Sequence, residues 1–198
     1  MAMIPLFKPY ISPKCTETLS DIFSKCALTE GEYSDKFEEA IGDYISNKNV
    51  ALTNSGTSAL HISAILAGLK PGDEVITTAM TCMATNEPFY NMGVDLSFAD
   101  VDITTGNICP NSIRSKITDK TKAIVVVHWA GQPVDLTSIH SIAKEFNLKV
   151  IEDAAHAFGS KYKNRKSFRF CVFLFPGNQT LDVRRWRRNR LQKRIRCG

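Results

Sequence analysis

Two rhythms of apolar and polar positions alternate along this chain. From about residue 49 to residue 160, short apolar runs take turns with segments whose apolar residues recur every three or four positions. "NVALTN" predicts a strand rich in residues that suit a sheet. "GTSALHISAILAGL" predicts the helix that follows, and "KPGDE" the next turn. "EVITTAM" predicts a second strand and "TNEPFYNMG" a short helix closed by Gly93. "DLSFADVD" predicts a third strand and "NSIRSKIT" another short helix. "TKAIVVVHWAG" is apolar enough to be a fully buried strand. "DLTSIHSIAKEFN" has the spacing of an amphipathic helix, and "LKVIEDAAHAFGS" reads as a strand running into a loop. Strands alternating with helices, with near-continuous apolar strands, predict a mostly parallel sheet covered on both faces. The first 45 or so residues read as helical and peripheral. Within them "YSDKFEEAIGDYI" carries Ser34 as its expected cap.

Composition refines this picture in one place. The 198 residues are 43% hydrophobic and 23% charged, ordinary values for a globular chain long enough to bury a core. No apolar run is long enough to span a bilayer, and "MAMIPLFKPYIS" lacks the continuous apolar stretch of a signal peptide. The six cysteines are scattered without a C-x-x-C pair, which argues against a zinc site and a disulfide scaffold; a reducing cytoplasm is the expected location. The net charge of +5, however, is unevenly spread. Residues 167–198 hold nine bases and one acid, so residues 1–166 carry a net charge of −3. Any nucleic-acid-binding reading would rest on the tail alone.

In open sheets of this kind, ligands bind at the carboxyl ends of the strands. Two stretches fall there. In "NSGTSAL", Gly56 lets a ligand approach the backbone, Thr57 and Ser58 offer hydroxyls, and the next helix points its free N–H groups back at the turn. That suits a phosphate, though a plain capped turn has the same residues. It is neither a G-x-G-x-x-G fingerprint nor a Walker loop. In "VIEDAAHAFGS", Asp153 ends a buried strand, where a carboxylate is costly unless it meets a cation. It is equally readable as a helix cap or a surface acid, and His156 alone as a structural histidine. Together the two stretches suit pyridoxal phosphate, whose phosphate fits a helix N-terminus and whose ring nitrogen is kept protonated by an aspartate.

The order and wording of these stretches resemble the DegT/StrS family of pyridoxal-phosphate-dependent nucleotide-sugar aminotransferases over roughly residues 4–166. The resemblance is carried by "IPLFKPYIS", "LTEGEYSDKFEEAI", "NSGTSALHISAILAGLKPGDEVITT", "DVDITTGNICP", "TKAIVVVHWAGQPVDLTSI" and "VIEDAAHAFGSKYK". It implies part of the large domain of the fold-type I transferases, an α/β domain with a mostly parallel sheet. It also implies that Gly56, Thr57 and Ser58 hold the cofactor phosphate, that Asp153 pairs with the ring nitrogen, and that His156 lies near the 3-hydroxyl. At the family's usually aromatic ring-stacking position this sequence has Cys82, within "TCMAT"; a sulfur also packs on a π face. The implied partners are a nucleotide-linked keto-sugar, an amino donor, expected to be glutamate, and a second copy of the chain in a homodimer. Neither membrane nor nucleic acid is expected.

The family's lysine, which holds the cofactor through a Schiff base, follows the aspartate motif in a pattern like G-D-x-x-x-F-S-F-x-x-x-K-x-L-x-x-G-D-G-G. This chain has no such stretch; it has "CVFLFPGNQTLDVRRWRRNRLQKRIRCG" instead. Reading the codons of Lys163–Arg187 one base further on permits "KIGNLSDFVCFSFQAIKHLTSGDGG". The Gln179–Thr180 junction can then encode only Lys or Arg, and Trp186–Arg187 must read Gly. Residues 167–198 are therefore read as an out-of-frame basic tail with no native domain, the shift falling near Lys161–Asn164. The chain is expected to be a truncated and inactive form of an aminotransferase, with no catalytic residue of its own. Two other readings remain: a lysine-less sugar dehydratase, and a non-enzymatic fragment whose tail binds nucleic acid through charge.

Overall fold

Each predicted rhythm forms its element in the computed structural model, which describes residues 11–26, 28, 31–161, 171–175 and 178–182. The chain divides into two compact units, Met1–Phe37 and Glu38–Gly198. In the first, helix α1 (Lys14–Ser24) buries no residue. Its Asp21 carboxylate accepts hydrogen bonds from Lys25 Nζ at 2.8 Å and from the Tyr33 hydroxyl at 3.0 Å.

Helix α2 (Glu32–Tyr44) runs across the boundary between the units and buries Ile41 and Gly42. Ser34 does not cap it. The helix begins two residues earlier, and Asp35 N–H already donates to Gly31 C=O at 3.0 Å, so Ser34 stands inside the first turn. A serine is favoured at a cap because it offers an acceptor to a first-turn N–H, but here a glycine opens the turn.

The second unit is a seven-stranded sheet between two helical layers. In chain order its elements are β1 (Val50–Thr53), α3 (Gly56–Ala67), β2 (Glu74–Thr77), α4 (Met83–Asn91), β3 (Asp95–Phe98), α5 (Pro110–Lys116), β4 (Thr121–Val127), α6 (Leu136–Glu145), β5 (Lys149–Asp153), β6 (Cys171–Phe175) and β7 (Asn178–Asp182). The strands lie in the order β1-β7-β6-β5-β4-β2-β3. β2, β3, β4, β5 and β6 pair in parallel, while β7 runs antiparallel to both β6 and β1.

Alternation along the strands divides the core in two. Val75, Ala123, Val125 and Ile151 point to one face, where Ala59, Leu60 and Ala64 of α3 and Phe89 of α4 cover them. Ile76, Ile124, Val126 and Val150 point to the other, beneath Ile113 of α5 and Leu136, Ile139 and Ile142 of α6. Both faces of a parallel sheet are thereby kept from water, which is why β4 is apolar almost throughout.

β6 and β7 come from the segment read as an out-of-frame tail, and Val172 of β6 is buried against the α3 face. Phe168, Phe170 and the basic run from Arg184 to Arg196 lie outside the described residues. Among the described residues, no helix is long and apolar enough to cross a membrane.

Candidate active site

The site is assembled where strands end. β1 runs antiparallel to β7, β7 antiparallel to β6, and β6 parallel to β5. β1 and β5 therefore point the same way, and the residues that follow them, "NSGTSAL" and "AAHAFGS", emerge on one edge of the sheet.

At the end of β1 the chain turns sharply into α3. Ser55 is extended (φ −160°, ψ 156°), and its Oγ accepts from Ser58 N–H at 3.1 Å. The Ser55 hydroxyl in turn donates to Ser58 Oγ at 2.9 Å, and Thr53 Oγ1 donates to Ser55 C=O at 2.9 Å. Because Ser58 Oγ is the acceptor in that contact, its own hydrogen remains available. Gly56 and Thr57 occupy the first turn of α3, where backbone N–H groups have no intrahelical acceptor. Gly56, Thr57 and Ser58 are half-buried, with the positive end of the helix dipole behind them, an arrangement, the α3 cradle, that suits an anion. Ser55, which shapes the cradle, is a residue that sequence reasoning missed. Its signal is a serine at a strand-to-helix boundary three residues before another hydroxyl.

Asp153 is the last residue of β5 and is 5% exposed. Its Oδ1 accepts from Ala155 N–H at 3.1 Å, its Oδ2 from Thr85 Oγ1 at 2.7 Å, and its backbone C=O from His128 N–H at 3.0 Å. Thr85 Oγ1 lies in turn 2.7 Å from Thr81 Oγ1. Among the described residues no lysine, arginine or histidine pairs with Asp153. A buried carboxylate without a cation is expensive, so the arrangement suits a cationic group beyond the described residues. A protonated ring nitrogen meets that need, and a phosphate meets the need of the α3 cradle. The residues present thus fit pyridoxal phosphate.

His156 is exposed on the loop after β5, its ring centroid 6.2 Å from that of Trp129 with the planes inclined at 58°. Trp129 opens the short 3-10 turn Trp129–Gly131 after β4, and its N–H donates to Asn107 Oδ1 at 3.0 Å. Asn107 is buried, and its amide also reaches Gln132 C=O at 3.1 Å. Cys82 is exposed at the N-cap of α4, and its side chain makes no capping hydrogen bond. Among the described residues, no group of three or more His, Cys, Asp or Glu is placed to hold a metal ion.

Comparison with known proteins bears on this geometry. The model of the DegT/DnrJ/EryC1/StrS aminotransferase family matches residues 9–173. The match extends past residue 166, where the resemblance read from the sequence stops. GDP-perosamine synthase from Escherichia coli O157:H7 is 36% identical over 187 residues, covering 92% of this chain and 51% of that protein. The crystal structure of AtS13 from Actinomadura melliaura superposes with a TM-score of 0.88 at 33% identity, over 92% of this chain and 54% of that one. The structure of NtdA from Bacillus subtilis, solved with bound cofactor PMP, gives 0.80 at 31% identity, over 85% and 40%. The chain thus spans about half the length of these relatives.

Proposed function

Because the chain belongs to the DegT/DnrJ/EryC1/StrS aminotransferase family, we propose that residues 38–161 build the cofactor-holding part of a pyridoxal-phosphate-dependent aminotransferase. Its acceptor is a nucleotide-linked keto-sugar and its amino donor is glutamate. The observation that carries this reading is Asp153, a buried carboxylate with two hydrogen-bond donors and no cation partner among the described residues, on the same sheet edge as the α3 cradle. The name of the GDP-perosamine synthase relative supports a nucleotide sugar as acceptor.

In this reading Gly56 and Thr57 bind the phosphate through their first-turn N–H groups, and Thr57 and Ser58 through their hydroxyls. Asp153 holds the proton on the ring nitrogen. His156 donates toward the 3-hydroxyl, and Cys82 packs beside the ring. When bound, the cofactor supplies an electron-withdrawing ring that ferries the amino group from donor to acceptor. Proton transfer at the reacting carbon needs a further base, which in this family is a lysine. The shifted frame reads that basic residue at position 179, and Gln179 stands there in this chain. Gln179 pairs across the sheet with Thr53, the last residue of the strand before the cradle. The 198-residue chain therefore keeps the binding elements but not the base, and is inactive. The complete enzyme acts as a cytoplasmic homodimer.

The test is the DNA across codons 160–190 together with an assay. Reading in the next frame should give the lysine motif followed by coding sequence for a related C-terminal region. Restoring that frame should give transamination of a nucleotide-linked keto-sugar with glutamate. Turnover by the present 198-residue chain, purified free of other aminotransferases, would overturn the proposal.

A further inference from the structure

Thr85 carries a second consequence, which rests on the proposed role of Asp153. It is 1% exposed on the first turn of α4, with its hydroxyl 2.7 Å from Asp153 Oδ2. A carboxylate can only accept, and a hydroxyl has a single hydrogen. Thr85 therefore donates to Asp153, and the 2.7 Å contact between Thr81 and Thr85 has Thr81 as its donor. The direction of the chain is fixed: Thr81 to Thr85 to Asp153. A helical threonine commonly turns its hydroxyl back to the carbonyl four residues earlier. Here the residue four positions back supplies a hydroxyl instead, leaving Thr85 to face the strand end.

The helix that carries this hydroxyl is itself held. The neighbouring Asn86 accepts from Thr77 Oγ1 at 2.7 Å and donates to Thr78 C=O at 3.1 Å. Thr85 and Asn86 thus fasten the start of α4 to the ends of two strands, β5 and β2. The other Asp153 oxygen is fixed by Ala155 N–H on the loop after β5. With one donor on each oxygen, from two different elements, the plane of the carboxylate is set and each oxygen retains acceptor capacity.

We propose that Thr85, backed by Thr81, is a positioning residue that holds the Asp153 carboxylate aimed at the ring nitrogen of a bound pyridine. It belongs to the binding of that nitrogen and contributes nothing to the phosphate end.

Two probes separate this role from a structural one. The first is pyridoxine 5'-phosphate, which has no aldehyde to react with surface lysines. The second is its analogue with the ring nitrogen replaced by CH. Each is titrated into the 198-residue chain by calorimetry. The wild-type chain should bind the pyridine more tightly than the carbocycle. Thr85→Val should weaken the pyridine about tenfold, the scale of a hydrogen bond to a charged group, and leave the carbocycle unchanged. Thr85→Ser should restore pyridine binding to within about twofold, because the donor is retained. Equal losses for both probes, or no loss for either, would overturn the positioning role. Circular dichroism checks that the variants fold. If Thr85→Val does not, Thr81→Val on the half-buried loop carries the same comparison, with selective loss of the pyridine supporting the proposal and any other pattern overturning it. A wild-type chain that binds neither probe, or both alike, overturns the assignment of Asp153 to a ring nitrogen and this inference with it.

Discussion

His128 Nε2 lies 3.2 Å from Glu152 Oε2, and each of the two side chains is 1% exposed. Val134 N–H donates to His128 Nδ1 at 3.1 Å, so Nδ1 is the acceptor and Nε2 carries the hydrogen offered to Glu152. Glu152 and Asp153 are adjacent on β5, and alternation sends them to opposite faces. Asp153 meets α4, whereas Glu152 meets His128. Replacing His128 by leucine strands a buried carboxylate. The expected loss is about 1–3 kcal/mol, read from urea unfolding. Glu152→Gln keeps an acceptor for Nε2–H and should cost only about 1 kcal/mol. Equal losses from the two changes would refute this account of the pair.

Gly106 has φ +68°, and a Cβ there would lie 2.8 Å from Trp129 Cδ1. Gly106→Ala should therefore destabilise the fold by about 1–2 kcal/mol from the left-handed backbone alone. It should also shift the indole, which tryptophan emission reports. An alanine variant with unchanged stability and emission would contradict the packing described for the Trp129 turn.

Arg114 of α5 and Glu145 of α6 form a two-pronged ion pair, with both N–O distances 2.7 Å. The Arg114 guanidinium holds the Glu145 carboxyl below its ordinary value of 4.5. A group whose folded value is depressed adds stability above its unfolded value, and loses it as pH falls through the folded one. Arg114→Met should therefore lower the melting temperature at neutral pH. The gap from wild type should narrow as pH falls below about 4.5. The pair is half-exposed, so added salt should also narrow it. A gap that widens in acid would reverse the assigned sign.

Gln179 pairs with Thr53 across β7 and β1, at the strand end from which the cradle springs. Gln179→Lys should direct covalent capture of pyridoxal 5'-phosphate to that position. Borohydride reduction followed by peptide mass mapping locates the label. Adding Asp153→Asn should reduce the yield. Label spread over surface lysines, with none concentrated at residue 179, would count against the register as the place of the missing base.

Much of the fold is legible in the sequence because the relevant signals are local. β1 to β5 and their helices follow directly from periodicity, since each apolar rhythm finds a sheet face or a helix stripe to bury. Gly56, Thr57, Ser58 and Asp153 are legible because a helix start and a strand end announce themselves within a few residues. Thr85 is not. Its contact with Asp153 joins residues 68 positions apart, and nothing near Thr85 marks it as more than another polar position in a short helix. The helix α4 also begins at Met83, ahead of the predicted start at Thr85, because its N-cap is a cysteine that makes no side-chain bond. Ser34 misleads for the opposite reason: it has the residue type of a cap and lies two positions inside α2. β6 and β7 are hidden by the charge of the segment that holds them: β6 uses the apolar stretch Cys171–Phe175, and β7 the mostly polar Asn178–Asp182 just before the arginines.

Among the described residues, β1 lies at the edge of the sheet with β7 as its strand neighbour. The partner of Val50 is Asp182 and that of Thr53 is Gln179. During synthesis the first strand therefore leaves the ribosome long before the strand that will pair with it. At ordinary translation speeds the interval is on the order of 6–25 s. Through that time the turn that shapes the anion cradle hangs from a strand whose backbone groups have no ladder. The cradle edge gains its ladder only once β7 has emerged.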